Sequence, residues 1–219
     1  MSYGTGKASL SSETLSILSI LPDRRPFSGE DLTILGPAFV VPMSMAIQHV
    51  LSELTRIKSA GLVADYAVGG AVAAHAYIEP SDTVDVDVFV LFTGRDTSPI
   101  ASLTPIWADL VSNGAKEVGP YLEIGGWPVQ LLGPGTALET DAIANAVDVP
   151  FGGLTARVMR PEHLVAIALA TGRPKDYGRV EEFIRTGKVE MAKLIALIER
   201  FGLDDRWKTF QTRFLRSNA

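Results

Sequence analysis

The chain contains no cysteine. Disulfide staples, zinc–thiolate sites and thiol nucleophiles are therefore excluded, and redox chemistry does not fix the compartment. Histidine is scarce as well, limited to His49, His75 and His163. His163 follows Glu162, a neighbour with which it can pair, but no second histidine sits at a zinc-binding spacing, which argues against a histidine-based metal hydrolase. His49 and His75 fall on helical segments and read as packing or surface residues. Long apolar runs are missing too. No stretch of about eighteen apolar residues is present, nor a basic segment followed by an apolar one near Met1, and the sequence predicts a cytoplasmic protein without membrane contact. Positive charge is in deficit. A net charge of −5 disfavours a broad basic surface for a long polyanion and favours a small substrate, although a local basic cluster can still hold a nucleotide.

What is present is an ordinary globular composition, 47% hydrophobic and 21% charged, enough to bury a core. Residues 1–30 read as a flexible segment, with an amphipathic turn at Thr14–Leu21 and a loop at Asp23–Pro26. From Pro42 to Lys58, Met45, Ile47, Val50, Leu51, Leu54 and Ile57 recur at helical spacing, and Gly61 is placed to end that helix. A strand ending at Val68 leads into Gly69-Gly70 and a short helix from Ala71 to Tyr77. Later come a loop at Gly94–Pro99, a helix at Ile100–Val111 closed by Asn113-Gly114, strands at Tyr121–Gly125 and Val129–Leu132 around a Gly125-Gly126 turn, and a helix at Ala137–Val147. Beyond Pro161 the pattern is helical: Glu162–Ala170, Asp176–Ile184, Glu190–Phe201 with Met191, Leu194, Ile195, Leu197 and Ile198 on one stripe, and Asp204–Phe214. Trp107, Trp127 and Trp207 read as core residues by default. Strands first and helices last predict an α/β (α+β) chain, a mixed sheet flanked by helices with a C-terminal helical half. The expected division is 31–160 for the α/β domain and 161–219 for the helical region, with the ligand in a cleft between them.

The segment Thr83-Val84-Asp85-Val86-Asp87-Val88-Phe89-Val90 carries the chemistry. In a strand, Asp85 and Asp87 project from one face roughly 6.6 Å apart along the backbone, close enough to grip one metal ion. Alternating polar residues are also what any half-solvated strand shows. Here Val84, Val86, Val88 and Val90 bury the other face, and two acids on a mostly buried strand are costly unless solvent, a cation or a partner compensates them. The double glycine before them lets backbone approach a ligand with no Cβ in the way.

A second segment lies downstream. An extended Ala156-Arg157-Val158-Met159-Arg160 stretch enters a helix at Pro161, where proline's missing donor costs nothing, and Glu162 suits the helix dipole. It is followed by Gly172-Arg173-Pro174-Lys175-Asp176. Lys175 and Asp176 have two readings: a cation for phosphate and an acid facing the cleft, or a solvated lysine and a helix-capping aspartate.

The order of strand, Gly-Gly, short helix and acid-bearing strand resembles the core signature of the nucleotidyltransferase superfamily, which includes DNA polymerase beta and the minimal nucleotidyltransferases. The Arg157–Asp176 segment resembles the part in which minimal nucleotidyltransferases of the abortive-infection toxin type close their catalytic domain and begin the helical half. The two matches run from Asp65 to Val180. The resemblance implies Mg²⁺-dependent transfer of a nucleoside monophosphate from a nucleoside triphosphate to a hydroxyl of RNA, protein or a small molecule, with up to two ions bound. It also implies a cognate antitoxin as partner, and the apolar C-terminal helices suit a homodimer contact. Asp85 and Asp87 match the metal-binding pair, Gly69 and Gly70 the phosphate turn, and Thr83 a phosphate support or turn cap. Arg173, Lys175 and Asp176 match the basic–acidic turn.

The chain also departs from the family. Where many members carry a third carboxylate in a Val-Asp-Leu-Leu segment, this chain has Val129-Gln130-Leu131-Leu132, and Gln130 offers a metal only a neutral oxygen. The arginine that often precedes the Thr is replaced by Glu79-Pro80-Ser81-Asp82. Three outcomes follow: Asp82 substitutes for the lost acid, one metal is held strongly, or chemistry has been lost and the fold serves as a nucleotide-binding or protein-interaction module.

Overall fold

In the computed structural model, the described residues are 43–79, 83, 85–93, 99–151 and 153–215. The expectations for residues 1–30, for Asp82 and Val84 and for most of the Gly94–Pro99 loop lie outside them. The first helix, α1 (Met43–Ser59), buries the stripe read from its spacing: Ile47, Val50, Leu51, Leu54 and Ile57 are all within the core. It ends where Gly61 takes a left-handed φ of 73°. Its inner face packs on the sheet, since Ile47, Val50 and Leu51 share a small cavity with Val68, Val86, Ala156 and Val158.

The chain then alternates strands and helices: β1 (Val63–Val68), α2 (Gly70–Ala74), β2 (Val86–Phe92), α3 (Pro99–Ser112), β3 (Lys116–Val118), β4 (Tyr121–Ile124), β5 (Trp127–Leu132), α4 (Ala137–Ala144), β6 (Val147–Phe151) and β7 (Leu154–Val158). The seven strands form one mixed sheet in the order β3-β4-β5-β2-β1-β7-β6. The central pair β1–β2 is antiparallel, while β5 joins β2 and β7 joins β1 in parallel. Gly125 and Gly126, with φ of 60° and 88°, make the expected two-residue hairpin between β4 and β5. His49 covers that turn: a β-carbon on Gly125 would lie 2.6 Å from the His49 Cβ.

Several boundaries differ from the sequence reading, each for a local reason. The acid strand begins at Val86, with Asp85 just outside the ladder, because β1 stops at the double glycine and supplies no partner beyond it. The short helix closes at Ala74 and continues only as hydrogen-bonded turns to Ile78. Helix α4 stops at Ala144, and Val147 opens the edge strand β6. Its start is fixed by a reciprocal cap, in which the Glu139 N–H donates to Thr136 Oγ1 and the Thr136 N–H donates to Glu139 Oε2.

The helices α5 (Pro161–Thr171), α6 (Pro174–Arg185), α7 (Met191–Arg200) and α8 (Asp204–Phe210) follow, with a π turn at Gln211–Leu215. Helix α5 is the hub, touching α2, α4, α6, α7 and α8. Glu162 and His163 do not pair with each other, because adjacent helical residues point away from one another. Instead Glu162 Oε1 accepts from the Glu190 N–H at 2.8 Å, while His163 Nε2 stands 3.0 Å from Asp141 Oδ2. Asp141 also holds Arg200 across 2.9 Å, so one carboxylate ties α4, α5 and α7 together. Trp207 is buried, as expected, stacked on Phe210; Trp107 and Trp127 are only partly buried, and Trp107 donates to Glu117.

Candidate functional site

The site is assembled at the end of the central β1–β2 pair. Val86, Val88 and Val90 are fully buried on one face of β2, so Asp87 points to the other. β1 ends at Val68, and the N–H of the next residue, Gly69, donates to the Asp87 carbonyl at 2.8 Å. That bond fixes the turn against the acid strand. Gly69 itself is tightly enclosed: a β-carbon there would lie 2.8 Å from the Phe89 ring and 3.4 Å from the Met159 sulfur.

Gly70 adopts φ of 59° and faces the Asp87 carboxylate so closely that a β-carbon would sit 1.9 Å from Oδ2. Only glycine satisfies both the backbone and the approach. Thr83 donates its Oγ1–H to the Asp85 carbonyl at 3.1 Å.

Gln130 completes the strand side. In the parallel β2–β5 ladder, Asp87 is the register partner of Gln130, as Val86 is of Val129. Register partners project to the same face, so the amide stands beside the carboxylate at the position the departure from the family motif identifies. The strands thus supply the Asp87 carboxylate and one neutral oxygen, with Asp85 just ahead of the ladder. Among the described residues there is no group of three or more His, Cys, Asp or Glu able to hold a metal. Two carboxylates are still what Mg²⁺ commonly takes from a protein, the remaining ligands being water and substrate phosphates, and an all-oxygen set suits a hard cation. The cradle at Gly70 is one that a β-carbon would fill, since it would run into the Asp87 carboxylate. The residues present fit one such ion.

The opposite wall comes from α6. Arg173 is its N-cap and Pro174 its first residue, so Asp176 lies in the first turn and does not cap the helix. Asp176 is 1% exposed and takes Arg173 Nε at 2.6 Å and Nη2 at 3.3 Å, with Arg179 Nη1 at 3.7 Å. Lys175 is exposed. The Phe183 ring packs 6.3 Å from Tyr77, which fastens α6 against the turns that follow α2.

Electrostatics link the two walls. Burial pushes the Asp87 carboxyl above its ordinary value, and the Asp85 charge pushes the same way, while Arg173, Arg179 and Lys175 pull it down. The Arg173 guanidinium is held above its usual value, first by its bond to Asp176 and also by the charges of Asp87 and Asp85. Asp85, Asp87, Arg173, Lys175 and Arg179 therefore share one field. Arg179 is the member that the sequence reading missed. Its only local signal was a cation one helical turn after Asp176.

A pocket of about 490 Å³ lies elsewhere, lined by Tyr77, Arg160, Glu162, Lys188, Glu190 and Lys193 among others. Burial and the Glu162 charge push the Tyr77 phenol up to about 12. The pocket's lining includes neither acid of the pair, so the site is defined by the geometry around Asp87 and not by cavity size.

No family model and no curated protein matches the chain. Among solved structures, the crystal structure of an antigenic nucleotidyltransferase-like protein from Paracoccidioides brasiliensis is similar over 79% of this chain and 90% of its own, at 13% identity and a TM-score of 0.51. Two structures of ANT(2'')-Ia are also similar. One is a solution structure of this antibiotic-resistance factor, and the other is a crystal structure in complex with adenylyl-2''-tobramycin. They are 16% and 15% identical, cover 76% and 72% of this chain and 99% and 97% of their own, and have TM-scores of 0.44 and 0.45. The likeness is one of fold: the chain is folded like that nucleotidyltransferase-like protein.

Proposed function

We propose that the chain is a metal-dependent nucleotidyltransferase that moves a nucleoside monophosphate from a nucleoside triphosphate to a hydroxyl acceptor. The observation that carries this reading is Asp87: a carboxylate partly buried beside Asp85, laid against a glycine that admits no side chain, and facing the cations of α6. Placing two like charges together at a partly desolvated strand end is unfavourable for folding and is characteristic of functional sites.

Asp85 and Asp87 are the residues that would hold Mg²⁺, with Gln130 offering a neutral oxygen. A divalent ion held there neutralises phosphate charge and aligns the attacking and leaving oxygens. The acceptor oxygen bonds to the α-phosphorus, the bond to the bridging oxygen breaks, and pyrophosphate leaves. The hydroxyl proton passes to water, because Gln130 has no basic oxygen to take it. Asp176, bonded to Arg173 and approached by Arg179, positions them and does not act as a base. Lys175, exposed on the first turn of α6, is the mobile cation for the phosphates. An RNA, protein or small-molecule acceptor, an antitoxin partner, a homodimer and a cytoplasmic location belong to the same proposal.

Gln130 supports a second reading, a nucleotidyltransferase fold that binds a nucleotide or a protein partner without chemistry. Calorimetry with the four nucleoside triphosphates, with and without Mg²⁺, tests the first. Binding that requires both Mg²⁺ and the acids, lost in Asp85→Asn/Asp87→Asn, supports it; no binding by the native chain overturns it. Binding without pyrophosphate release in the presence of RNA, protein and small-molecule hydroxyls favours the second.

A further inference from the structure

The charge balance of the site differs on its two walls. On the strand wall, Gln130 occupies the register position beside Asp87, so among the described residues the pair of carboxylates has no third to bridge a second ion. On the helix wall, two cations, Arg173 and Arg179, stand around a single acid, Asp176, which is 1% exposed, and Lys175 adds a third, exposed charge. Asp176 is committed mainly to Arg173, whose Nε and Nη2 both reach it. Among the described residues, Arg179 reaches Asp176 through the 3.7 Å approach of Nη1 alone, beyond hydrogen-bond reach. Its side chain is 20% exposed, and its Nε is buried with no hydrogen-bond partner among the described residues. A largely buried guanidinium with donors unspent is out of balance until an anion meets it. Its planar fork matches phosphate oxygens in a way an ammonium does not.

We propose that the site works with a single divalent cation, and that Arg179, set in place by the Arg173–Asp176 pair, contacts the triphosphate and supplies the positive charge a second ion would otherwise bring. The idea rests on the nucleotidyltransferase reading of the Asp85–Asp87 pair. The missing acid and the extra cation are then two halves of one exchange: neutral Gln130 removes the support for a second ion, and Arg179 stands on the facing wall with charge to replace it.

The test counts ions. The full chain is titrated with Mn²⁺ in the presence of a nucleoside triphosphate analogue carrying a non-hydrolysable α,β-methylene bridge, and bound Mn²⁺ per bound analogue is read by electron paramagnetic resonance. One ion is expected for the native chain and two for Gln130→Asp. Arg179→Gln should weaken the analogue about tenfold or more, the worth of one charge-assisted hydrogen bond, with the ion count still one. Arg179→Lys keeps the charge beside Asp176, guards against a folding defect, and should recover part of the affinity. Two ions on the native chain, or native affinity in Arg179→Gln with unchanged thermal unfolding, overturns the inference alone. A native chain that binds neither analogue nor ion overturns the nucleotidyltransferase reading with it.

Discussion

Gly70 and Asp87 meet so closely that a β-carbon on the glycine would lie 1.9 Å from the carboxylate oxygen Oδ2. The double glycine is thus a spacer as well as a turn. It keeps side chains away from the one acid that both walls of the site address.

Gly70→Ala therefore meets two obstacles, a left-handed backbone and a steric clash with Asp87. The left-handed conformation alone costs about 1–2 kcal/mol. Thermal unfolding should show at least that loss, and calorimetry should show that Mg²⁺-dependent nucleotide binding falls further than stability does, because the carboxylate is displaced. Unchanged binding in a folded variant contradicts the assignment.

Asp87→Asn should stabilise the metal-free chain. The folded carboxyl titrates above the ordinary 3.8, chiefly through burial and then through Asp85, even after the pull of Arg173, Arg179 and Lys175. A raised acid favours folding most when protonated, so stability falls as pH rises from 3.8 through the folded value and levels above it. The variant should melt higher than the native chain near neutral pH and match it below 3.8. Melting curves across that range, without divalent ions, decide it. A lower melting temperature at neutral pH refutes the sign.

Arg173→Gln leaves the 1% exposed Asp176 carboxylate with only the looser approach of Arg179. Arg173 itself is 57% exposed, so the cost is that of stranding one buried carboxylate, and about 1–3 kcal/mol is expected in urea unfolding. Asp176→Asn in the same background should recover part of it, since the stranded charge is gone. No recovery would mean that the loss comes from packing of the arginine stem.

Asp141→Ala separates structural acids from site acids. It removes the carboxylate that joins His163 to Arg200, at a cost of about 1–3 kcal/mol for the groups left unpaired. Nucleotide affinity, measured well below the melting temperature, should not change. A large loss of affinity would extend the site into the α4–α5–α7 junction.

Much of this was legible in the sequence. The α1 stripe, the Gly125-Gly126 hairpin and the proline entry to α5 follow from periodicity and turn chemistry, which are local, whereas α6 starts at Pro174, two residues before the expected Asp176. The alternation around Asp87 announced a two-faced strand. β6 was hidden because Pro150 interrupts Val147–Phe151, a pattern that only an edge strand tolerates. β3 was hidden because its three residues are all exposed and carry no apolar alternation. In the site, the meeting of Gln130 with Asp87 depends on a parallel register between strands distant in the chain, and the approach of Arg179 depends on how α6 packs. Neither leaves a local trace. The pairing of Glu162 with His163 failed for the same reason: their partners, Glu190 and Asp141, come from other helices.

The most direct measurement is a crystal structure with Mn²⁺ and a non-hydrolysable nucleoside triphosphate analogue, with the ion located by its anomalous scattering. The account predicts a peak within about 2.2 Å of a carboxylate oxygen of both Asp85 and Asp87, shared with a phosphate oxygen. An ion that touches neither acid, or an analogue seated in the pocket of Tyr77, Arg160 and Lys193, would contradict it.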